Sequence, residues 1–373
     1  PTAGIGLPVL YWRINAGAYT AVTATSLGGG NYSFTFGAGA IVNDNVSYYI
    51  VAQDNVATPN IIAVPSTGAA GFTANPPAAA TAPTAPSTYA VQNNLPPGTY
   101  TVGGAGVYLT LTAAINAYNN SCLSGAVIFE LIDATYSTSE TFPIVIGNPV
   151  ASAVNTLTIR PATGINATIT GSSTGSLIQF NGADYVTIDG SNNGTASQNL
   201  TIVNTQSDAT ATAVIWLASA SASNGATNNT IKNSIVIGSG TTTTYGGVVS
   251  SSGTTLGNPA LAANSNNTYQ NLIVHSVLRG IALVGLSTGD NSNTITQCRT
   301  GSIVVAEKIG FRGIFVFNQT NVTITNNTVL GITTTAGTNT DVPAGISIRG
   351  AIVNGVVASN VISDCKNTST AGW

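Results

Sequence analysis

Two arginines of this sequence are separated by the same distance as its internal repeats. Arg279 and Arg312 lie 33 residues apart, and each precedes a glycine that opens a short apolar strand. If each repeat forms one coil of a stacked fold, their backbones lie about 5 Å apart on neighbouring coils. Like charges at that separation are unfavourable unless an acid or a bound anion lies nearby. Lys308 and Arg349 fall near the same predicted face, where Glu307 is a candidate partner acid.

We interpret Arg279, Arg312, Lys308 and Arg349 as candidate ligand-binding residues for an acidic glycan. The alternative is a solvated face with local ion pairs. Trp216 joins this set because exposed aromatic rings can stack on sugars. It lies in a strand of alternating residues, so its indole points either outward or into the core. Filling of the core is the alternative role for Trp216.

Catalytic groups are scarce in this sequence. Hydrolysis of polysaccharides uses paired carboxylates, and a motif of that type occurs once, at 339–341 (Asn-Thr-Asp) within a Thr/Gly-rich segment. Asp184 and Asp189 flank one strand, and Asp189 with Gly190 forms a natural turn pair. His275 is the one histidine and follows a strand. We therefore predict no catalytic residue, no metal site and no cofactor.

The three cysteines, Cys122, Cys298 and Cys365, do not form a disulfide framework, because their number is odd and their spacing wide. They are interpreted as small buried side chains, with a bridge between Cys298 and Cys365 as the alternative. No CxxC pair suggests zinc binding or redox activity.

The composition excludes several classes of partner. Only 6% of the 373 residues are charged and the net charge is −3, so the chain has no basic field for nucleic acid or for an anionic membrane surface. The longest apolar runs fall short of the ~18 residues that a membrane helix needs. The chain contains no methionine and begins with Pro-Thr-Ala-Gly. We interpret it as a mature or internal piece of a longer secreted protein.

A repeat of about 33 residues organises the C-terminal part of the chain. Its opening small residue is assigned to Ala213, Gly247, Gly280, Gly313 and Gly345, at steps of 34, 33, 33 and 32. A second column contains Asn-rich turns followed by Thr-Ile strands, and a third strand follows after another turn. Three short strands per repeat predict the coils of a parallel β-helix rather than the long helices of ankyrin or tetratricopeptide repeats. Asparagine suits such turns, because it tolerates left-handed backbone and its amide can bond to the next coil.

Three domains are predicted on this basis. Residues 1–75 show alternating strands and glycine turns, which indicate an immunoglobulin- or fibronectin-III-like β-sandwich that is incomplete at its N-terminus. Residues 76–98 have the Pro/Ala/Thr bias of an extended linker. Residues 99–373 form the β-helix, and a helix at 109–119 with Thr110 or Thr112 as its N-cap covers the solenoid end.

The Asn-Thr-Ile-x-Asn pattern and the 33-residue coils resemble the pectate-lyase-like superfamily of right-handed parallel β-helices. The serial arrangement of modules, with the segments 68–77 and 185–194, resembles large repetitive adhesins that gliding bacteria export by the type IX route. This second resemblance implies an extracellular, non-enzymatic structural or adhesive protein, a rigid rod-like segment of a cell-surface or filament protein. Its partners would be copies of itself, neighbouring domains or glycans. The alternative is a polysaccharide-binding or polysaccharide-degrading β-helix.

Overall fold

The repeats of the sequence stack as parallel strands. The computed structural model describes residues 6–207, 211–334 and 342–367. The chain divides into two units, residues 1–93 and 94–373. Unit 2 is a β-solenoid of about eight turns, whereas the strands of unit 1 pair antiparallel.

One five-stranded antiparallel sheet lies at the centre of unit 1. Its strands are β1 (Val9–Ile14), β2 (Thr20–Thr23), β5 (Asn45–Gln53), β6 (Ile61–Val64) and β9 (Ser87–Ala90). β1 lies between β2 and β5, and the other edge of β5 pairs with both β6 and β9. Two separate hairpins consist of β3 (Thr25–Gly28) with β4 (Asn31–Ser33), and β7 (Ala70–Thr73) with β8 (Ala78–Thr81).

This arrangement differs from the predicted N-terminal domain in two respects. An immunoglobulin- or fibronectin-III-like sandwich is not shown, because the described strands of unit 1 form a single five-stranded sheet and two hairpins. The predicted linker at 76–98 contains β8 and β9, and unit 1 extends to residue 93. The physical reason is the alternation of β9, which packs Tyr89 against Phe36 and Tyr48 while its backbone pairs with β5.

Unit 2 consists of three parallel ladders, of nine, eight and seven described strands, to which successive coils contribute. Ladder A contains β11 (Gly98–Val102), β13 (Val127–Leu131), β16 (Leu157–Pro161), β19 (Val186–Asp189), β22 (Thr230–Lys232), β25 (Thr268–Gln270), β29 (Thr294–Thr296), β32 (Thr323–Thr325) and β35 (Val356–Ala358). Ladder B contains β14 (Thr135–Tyr136), β17 (Ala167–Gly171), β20 (Leu200–Asn204), β23 (Ser234–Ile237), β26 (Ile273–His275), β30 (Arg299–Thr300), β33 (Thr328–Thr334) and β36 (Val361–Asn367). Ladder C contains β15 (Ile144–Ile146), β18 (Ser176–Asn181), β21 (Ala213–Ser219), β24 (Gly246–Ser252), β27 (Val277–Val284), β31 (Ile309–Thr320) and β34 (Ala344–Val353).

Four short elements accompany these ladders. β10 (Asn93–Leu95) pairs with β12 (Ser121–Leu123), β28 (Asp290–Asn291) pairs with β31, and residues Val305–Glu307 form one turn of 3-10 helix. The apolar side chains of successive coils form one continuous core, including Phe129, Phe180 and Tyr269. These observations confirm the predicted parallel β-helix.

The register confirms most of the predicted columns and corrects one. Ile215, Val248, Ile281 and Ile314 lie directly above one another in ladder C. The register places Val214, rather than Ala213, in the column of Gly247, Gly280, Gly313 and Gly345. All four glycines lie where the backbone packs closely against neighbouring atoms, since a Cβ at any of them would approach one of these atoms to within 2.2–2.4 Å.

Asparagines at the turn before ladder A connect the coils through the core. The side-chain oxygen of Asn267 accepts a hydrogen bond from the backbone N–H of Asn229 at 3.0 Å, and that of Asn293 accepts one from Asn267 at 2.9 Å. The Asn267 amide also donates to the carbonyl of Ala226 at 2.9 Å. Buried backbone groups are thereby satisfied, as expected of an asparagine column. The residue preceding each buried asparagine position has a positive φ in five coils: Asn228, Asn266, Ser292, Asn321 and Asn354.

A helix, α1 (Leu111–Asn119), covers the N-terminal end of the core. Thr110 is its N-cap and accepts a hydrogen bond from Ala113 N at 3.0 Å. The predicted apolar face is buried, with Ile115 and Tyr118 at its centre. Glu140, from the first coil, also accepts hydrogen bonds at the start of this helix. Helix and coil are thus joined by both apolar and polar contacts.

No helix among the described residues is long and apolar enough to cross a membrane.

All three cysteines are free, so the alternative of a bridge between Cys298 and Cys365 is wrong. Cys298 is buried, as interpreted from the sequence, whereas Cys122 and Cys365 are exposed. Burial raises the pKa of the Cys298 thiol to about 12.

Candidate functional site

The two repeat-spaced arginines lie on the outer surface of ladder C. Arg279 of β27 is directly opposite Arg312 of β31, as predicted. Each arginine is followed by a glycine of the same strand, and the next residue, Ile281 or Ile314, is buried in the core. The stacking of coils therefore places two like charges on adjacent strands.

Aromatic rings separate these charges. The Arg279 guanidinium carbon lies 4.4 Å from the ring centre of Tyr245 and 5.6 Å from that of Phe311. The Arg312 guanidinium carbon lies 4.5 Å from Phe311 and 4.7 Å from Phe315. We call these five residues the aromatic–arginine face. The negative face of each ring attracts the cation, which offsets the repulsion expected from the sequence.

The two arginines differ in accessibility. Arg312 is only 3% exposed, whereas Arg279 is half-buried. Among the described residues, no carboxylate forms an ion pair with Arg279, and its Nε is buried without a hydrogen-bond partner. Arg279 is therefore the cation of this face that could accept a negatively charged group from solvent.

A depression of about 220 Å³ adjoins the face. Its walls are Val284, Phe315 and Phe317 from ladder C, together with Gly257 and Pro259 from the loop that follows β24. Phe315 belongs to both the depression and the aromatic–arginine face, so the two features are continuous. Arg349 lies directly opposite Phe317 on the next strand and is half-buried. A ring placed in the depression would therefore have an arginine-bearing strand on one side.

The sequence analysis missed the aromatic residues of this site. Phe311 directly precedes Arg312, and Tyr245 directly precedes the glycine that pairs with Arg279. The two rings therefore occupy the same position relative to the repeat, and this spacing could have predicted that they lie beside the arginines. Phe315 and Phe317 alternate on β31, which predicts that both point to the same side. Among the described residues, these aromatic rings accompany the arginine column.

Trp216 does not present a sugar-stacking platform. It points outward from ladder C, but Val249, Ala282 and Leu256 pack against it in a second small apolar cluster. Its side chain is 8% exposed, and its indole N–H donates to Ser251 Oγ at 2.9 Å. The exposed reading of Trp216 is therefore wrong, because loop 253–260 covers this part of the surface.

Lys308 lies away from the arginine column. Its ammonium group contacts Asp364 at 3.3 Å and Thr333 Oγ1 at 3.0 Å, so it connects β36 and β33 of ladder B. Glu307 is half-buried and interacts electrostatically with His275. Three of the four predicted cations, Arg279, Arg312 and Arg349, thus lie on ladder C. Lys308 precedes β31 of that ladder, but its side chain reaches ladder B.

Four carboxylates of the solenoid contact neighbouring groups. Asp184 accepts hydrogen bonds from the N–H and hydroxyl of Thr227 at 2.7 and 2.6 Å. Asp189 pairs with Lys232 at 3.1 Å. Further ion pairs join Glu130 to Arg160 at 3.1 Å and Asp364 to two lysines, at 3.3 and 2.7 Å. These contacts connect successive coils and satisfy the acids locally. The Asn-Thr-Asp motif at 339–341 lies outside the described residues.

His275 contacts the serine that follows it in the sequence, whereas no serine partner was expected. Its Nδ1 lies 3.0 Å from Ser276 Oγ, and the serine hydroxyl donates to the carbonyl of Ala306 at 2.6 Å. Burial lowers the pKa of His275, and the negative charge of Glu307 opposes that effect. The serine proton is thus engaged by a backbone carbonyl, and the contact joins β26 to the 3-10 turn.

No group of three metal-ligating side chains occurs within residues 6–207, 211–334 and 342–367.

Comparisons with known proteins do not assign a family. No family model and no curated protein matches the sequence. Among solved structures, the chain is similar to the deglycosylated pectin methylesterase from Aspergillus niger, with a TM-score of 0.39 and 13% identity over 74% of this chain and 89% of that one. A penultimately deglycosylated form of the same enzyme gives a TM-score of 0.38 and 14% identity over the same shares. The strand register of unit 2 itself establishes the parallel β-helix.

Proposed function

We propose that this protein is an extracellular polysaccharide-binding β-helix whose aromatic–arginine face binds an acidic glycan. The single observation that carries the proposal is Arg279. Its charge is half-exposed, it has no carboxylate partner among the described residues, and it adjoins an aromatic depression. This proposal corresponds to the alternative in the sequence analysis rather than to its principal interpretation.

The chemistry of the face suits a carboxylated sugar. The guanidinium of Arg279 can donate parallel hydrogen bonds to a carboxylate, which is its preferred geometry. Tyr245 and Phe311 bracket the guanidinium and reduce its freedom, so little side-chain entropy is lost on binding. Phe315 and Phe317 offer apolar surface to the C–H side of a sugar ring.

The size of the depression limits what it can hold. At about 220 Å³ it is smaller than the roughly 300 Å³ at which pockets for drug-sized ligands begin. We therefore expect one sugar ring to occupy it while the rest of the polymer crosses the exposed surface. Binding would then depend on several weak contacts along the chain, as is general for repeated ligands.

Substitution of Arg279 by glutamine tests this proposal. Loss of one charge-assisted hydrogen-bonded contact costs about 1.5–3 kcal/mol, so affinity for alginate or polygalacturonate is expected to fall about tenfold or more. Arg160→Gln is the matched control, because Arg160 is also partly exposed but is paired with Glu130 on ladder A. The readout is retention on immobilised polymer, with neutral dextran as the uncharged comparison.

Two results would contradict the proposal. One is unchanged retention of Arg279→Gln on both acidic polymers. The other is an equal loss of retention in Arg279→Gln and Arg160→Gln, which would indicate a general charge effect. Shortening of the polymers during incubation would assign a degrading activity to the chain in place of simple binding.

A structural or adhesive role in a cell-surface or filament protein is the second candidate. It is supported by the uninterrupted stacking of ladder A and by the buried asparagines, which connect coils without charge repulsion. Export by the type IX route remains part of this candidate function. Sedimentation across a concentration series tests the filament version, because a filament subunit self-associates and a persistent monomer contradicts it.

A further inference from the structure

A buried carboxylate lies immediately behind the aromatic depression. Asp290 is fully buried, and one of its oxygens accepts a hydrogen bond from Leu286 N at 3.1 Å. Its other oxygen, Oδ2, is buried without a hydrogen-bond partner. Among the described residues no cationic side chain forms an ion pair with Asp290. Such a group is expensive to ionise, because its hydrogen bonds replace only part of the water that solvates its charge in the unfolded chain.

Gln319 connects this carboxylate to the depression. Asp290 and Gln319 are opposite each other where β28 pairs with β31. The Gln319 amide donates to the carbonyl of Phe317 at 3.3 Å, and its oxygen accepts from Asn293 at 2.9 Å. The same amide opposes the rise in the pKa of the neighbouring Asp290 carboxyl. The side-chain amide of Gln319 therefore lies beside both the Phe317 carbonyl and the Asp290 carboxyl.

The wall of the depression that contains Val284 is attached to the same Phe317 carbonyl. The N–H of Gly285, directly after Val284, donates to the Phe317 carbonyl at 2.9 Å. A Cβ at Gly285 would lie 2.7 Å from Gln319 Nε2 and 3.0 Å from Asp290 Cγ, so these residues are in close contact. Both walls thus depend on hydrogen bonds made beside Asp290. Between Phe317 and Gln319 the register of β31 against β34 shifts, so the strand is irregular at this point.

We infer that Asp290 is a positioning residue for the aromatic depression, acts through Gln319, and makes ligand binding depend on pH. The neutral carboxyl leaves the Gln319 amide on the Phe317 carbonyl, so the wall is held in place. The ionised carboxylate draws that amide toward itself by charge–dipole attraction and weakens its bond to Phe317. This inference rests on the proposed binding function of the face.

The pH range follows from the surroundings of Asp290. Burial raises the pKa of its carboxyl to about 6, although hydrogen bonds from Leu286, Asn264 and Gln319 oppose that effect. Tyr269 of β25 interacts electrostatically with Asp290, but burial raises its pKa further above 10, so it stays neutral. β31 presents the uncharged Gln319 to the carboxylate, and the preceding turn presents Gly285 and Leu286. Asp290 is therefore the group in this cluster that titrates between pH 5 and pH 8.

The experiment compares wild-type protein with Asp290→Asn, which keeps the shape and removes the charge. Affinity for polygalacturonate is measured at pH 5 and pH 8, where uronate and arginine charges are constant. Wild type is expected to bind about tenfold more weakly at pH 8. The limit is about a hundredfold, because a carboxyl with a pKa of about 6 is only about 1% protonated at pH 8. Asp290→Asn is expected to bind tightly at both values. His275→Asn, which removes the one histidine, is expected to retain the wild-type pH dependence.

Hydrogen exchange at the Gly285 amide provides a readout that needs no ligand. After correction for the intrinsic effect of pH, its protection is expected to fall between pH 5 and pH 8 in wild type and to stay constant in Asp290→Asn. Equal pH dependence of protection in the two proteins would overturn the inference. If no polymer binds at any pH, the proposed function fails, while exchange at Gly285 still decides the coupling. Should Asp290→Asn fail to fold, Gln319→Met is the second variant, expected to lose the pH dependence and to bind weakly throughout.

Discussion

The attachment of α1 to the first coil depends on one carboxylate, Glu140. Its oxygens accept hydrogen bonds from Leu111 N at 2.8 Å, from Thr112 N at 2.7 Å and from Thr112 Oγ1 at 2.5 Å. These N–H groups are at the start of the helix, where no intrahelical partner exists. The carboxylate also lies at the positive end of the helix dipole. Replacement of Glu140 by alanine is therefore expected to release the helix from the solenoid end.

The expected magnitude follows from these contacts. Glu140 and Leu111 are both buried, so alanine leaves backbone N–H groups unsatisfied, at about 1–3 kcal/mol each. We expect a total loss of about 3–5 kcal/mol in the stability of the capped end. Glu140→Gln keeps one accepting oxygen but directs its amide NH2 toward a donor, and should lower the stability of the capped end by about 2 kcal/mol. Thr110→Ala, which removes the partly exposed N-cap, should cost about 1 kcal/mol.

Native-state hydrogen exchange of α1 and urea unfolding followed by circular dichroism measure this effect together. Exchange is needed because a terminal element of a repeat protein can open alone, without a change in the global midpoint. The expected order of destabilisation is Glu140→Ala, then Glu140→Gln, then Thr110→Ala. If Glu140→Ala lay within about 0.5 kcal/mol of wild type in both measurements, the polar attachment would be refuted. Packing of Ile115 and Tyr118 would then hold the helix by itself.

Three further predictions concern the interior of unit 2. Asn267→Ala should lower the free energy of unfolding by about 2–4 kcal/mol, because the backbone groups of Asn229 and Ala226 lose their partner. The control is Asn266→Gly, which should be nearly neutral in urea unfolding because glycine adopts the positive φ of this position readily. Asp290→Asn should raise the free energy of unfolding at pH 7 by about 3 kcal/mol, because the folded-state pKa of about 6 exceeds the ordinary aspartate pKa of 3.8. Between those two pKa values the folded state binds more protons than the unfolded state. The contribution of Asp290 to wild-type stability therefore falls as pH rises from about 4 to 6 and is then constant. The same pH dependence of the free energy of unfolding in both proteins, measured by urea titration, would contradict this prediction. Trp216→Phe should lower thermal stability yet leave retention on acidic polymers unchanged, and selective loss of retention would contradict its assignment to the covered cluster.

The coil architecture was predictable because stacking repeats the same requirement at one interval. Every coil needs an inward Val or Ile and a turn residue that tolerates left-handed backbone, so those residues recur about every 33 positions. The assignment of Ala213 to the glycine column failed by one residue, since a single alanine beside Val214 does not reveal which of the two is at the corner. The helix at 111–119 was predictable from the spacing of Leu111, Ile115 and Tyr118.

Unit 1 was less predictable than unit 2. Its strands do not repeat, so no second copy of a pattern corrects an error in the first. The proline-rich segment was assigned to a linker from composition, yet β9 within it completes the sheet by pairing with β5. Pairing between strands about 40 residues apart depends on the fit of side chains such as Tyr48 and Tyr89, which local composition does not encode.

The sequence by itself determined the stacking of Arg279 on Arg312, because the period of the repeat sets which residues lie on adjacent coils. Only the tertiary structure decided what that stacking means. The rings of Tyr245 and Phe311 stand beside Arg279, loop 253–260 covers Trp216, and the side chain of Lys308 reaches ladder B. The physical reason is that a repeat fixes backbone position, whereas the charge and solvent exposure of a side chain depend on neighbours from other coils and loops.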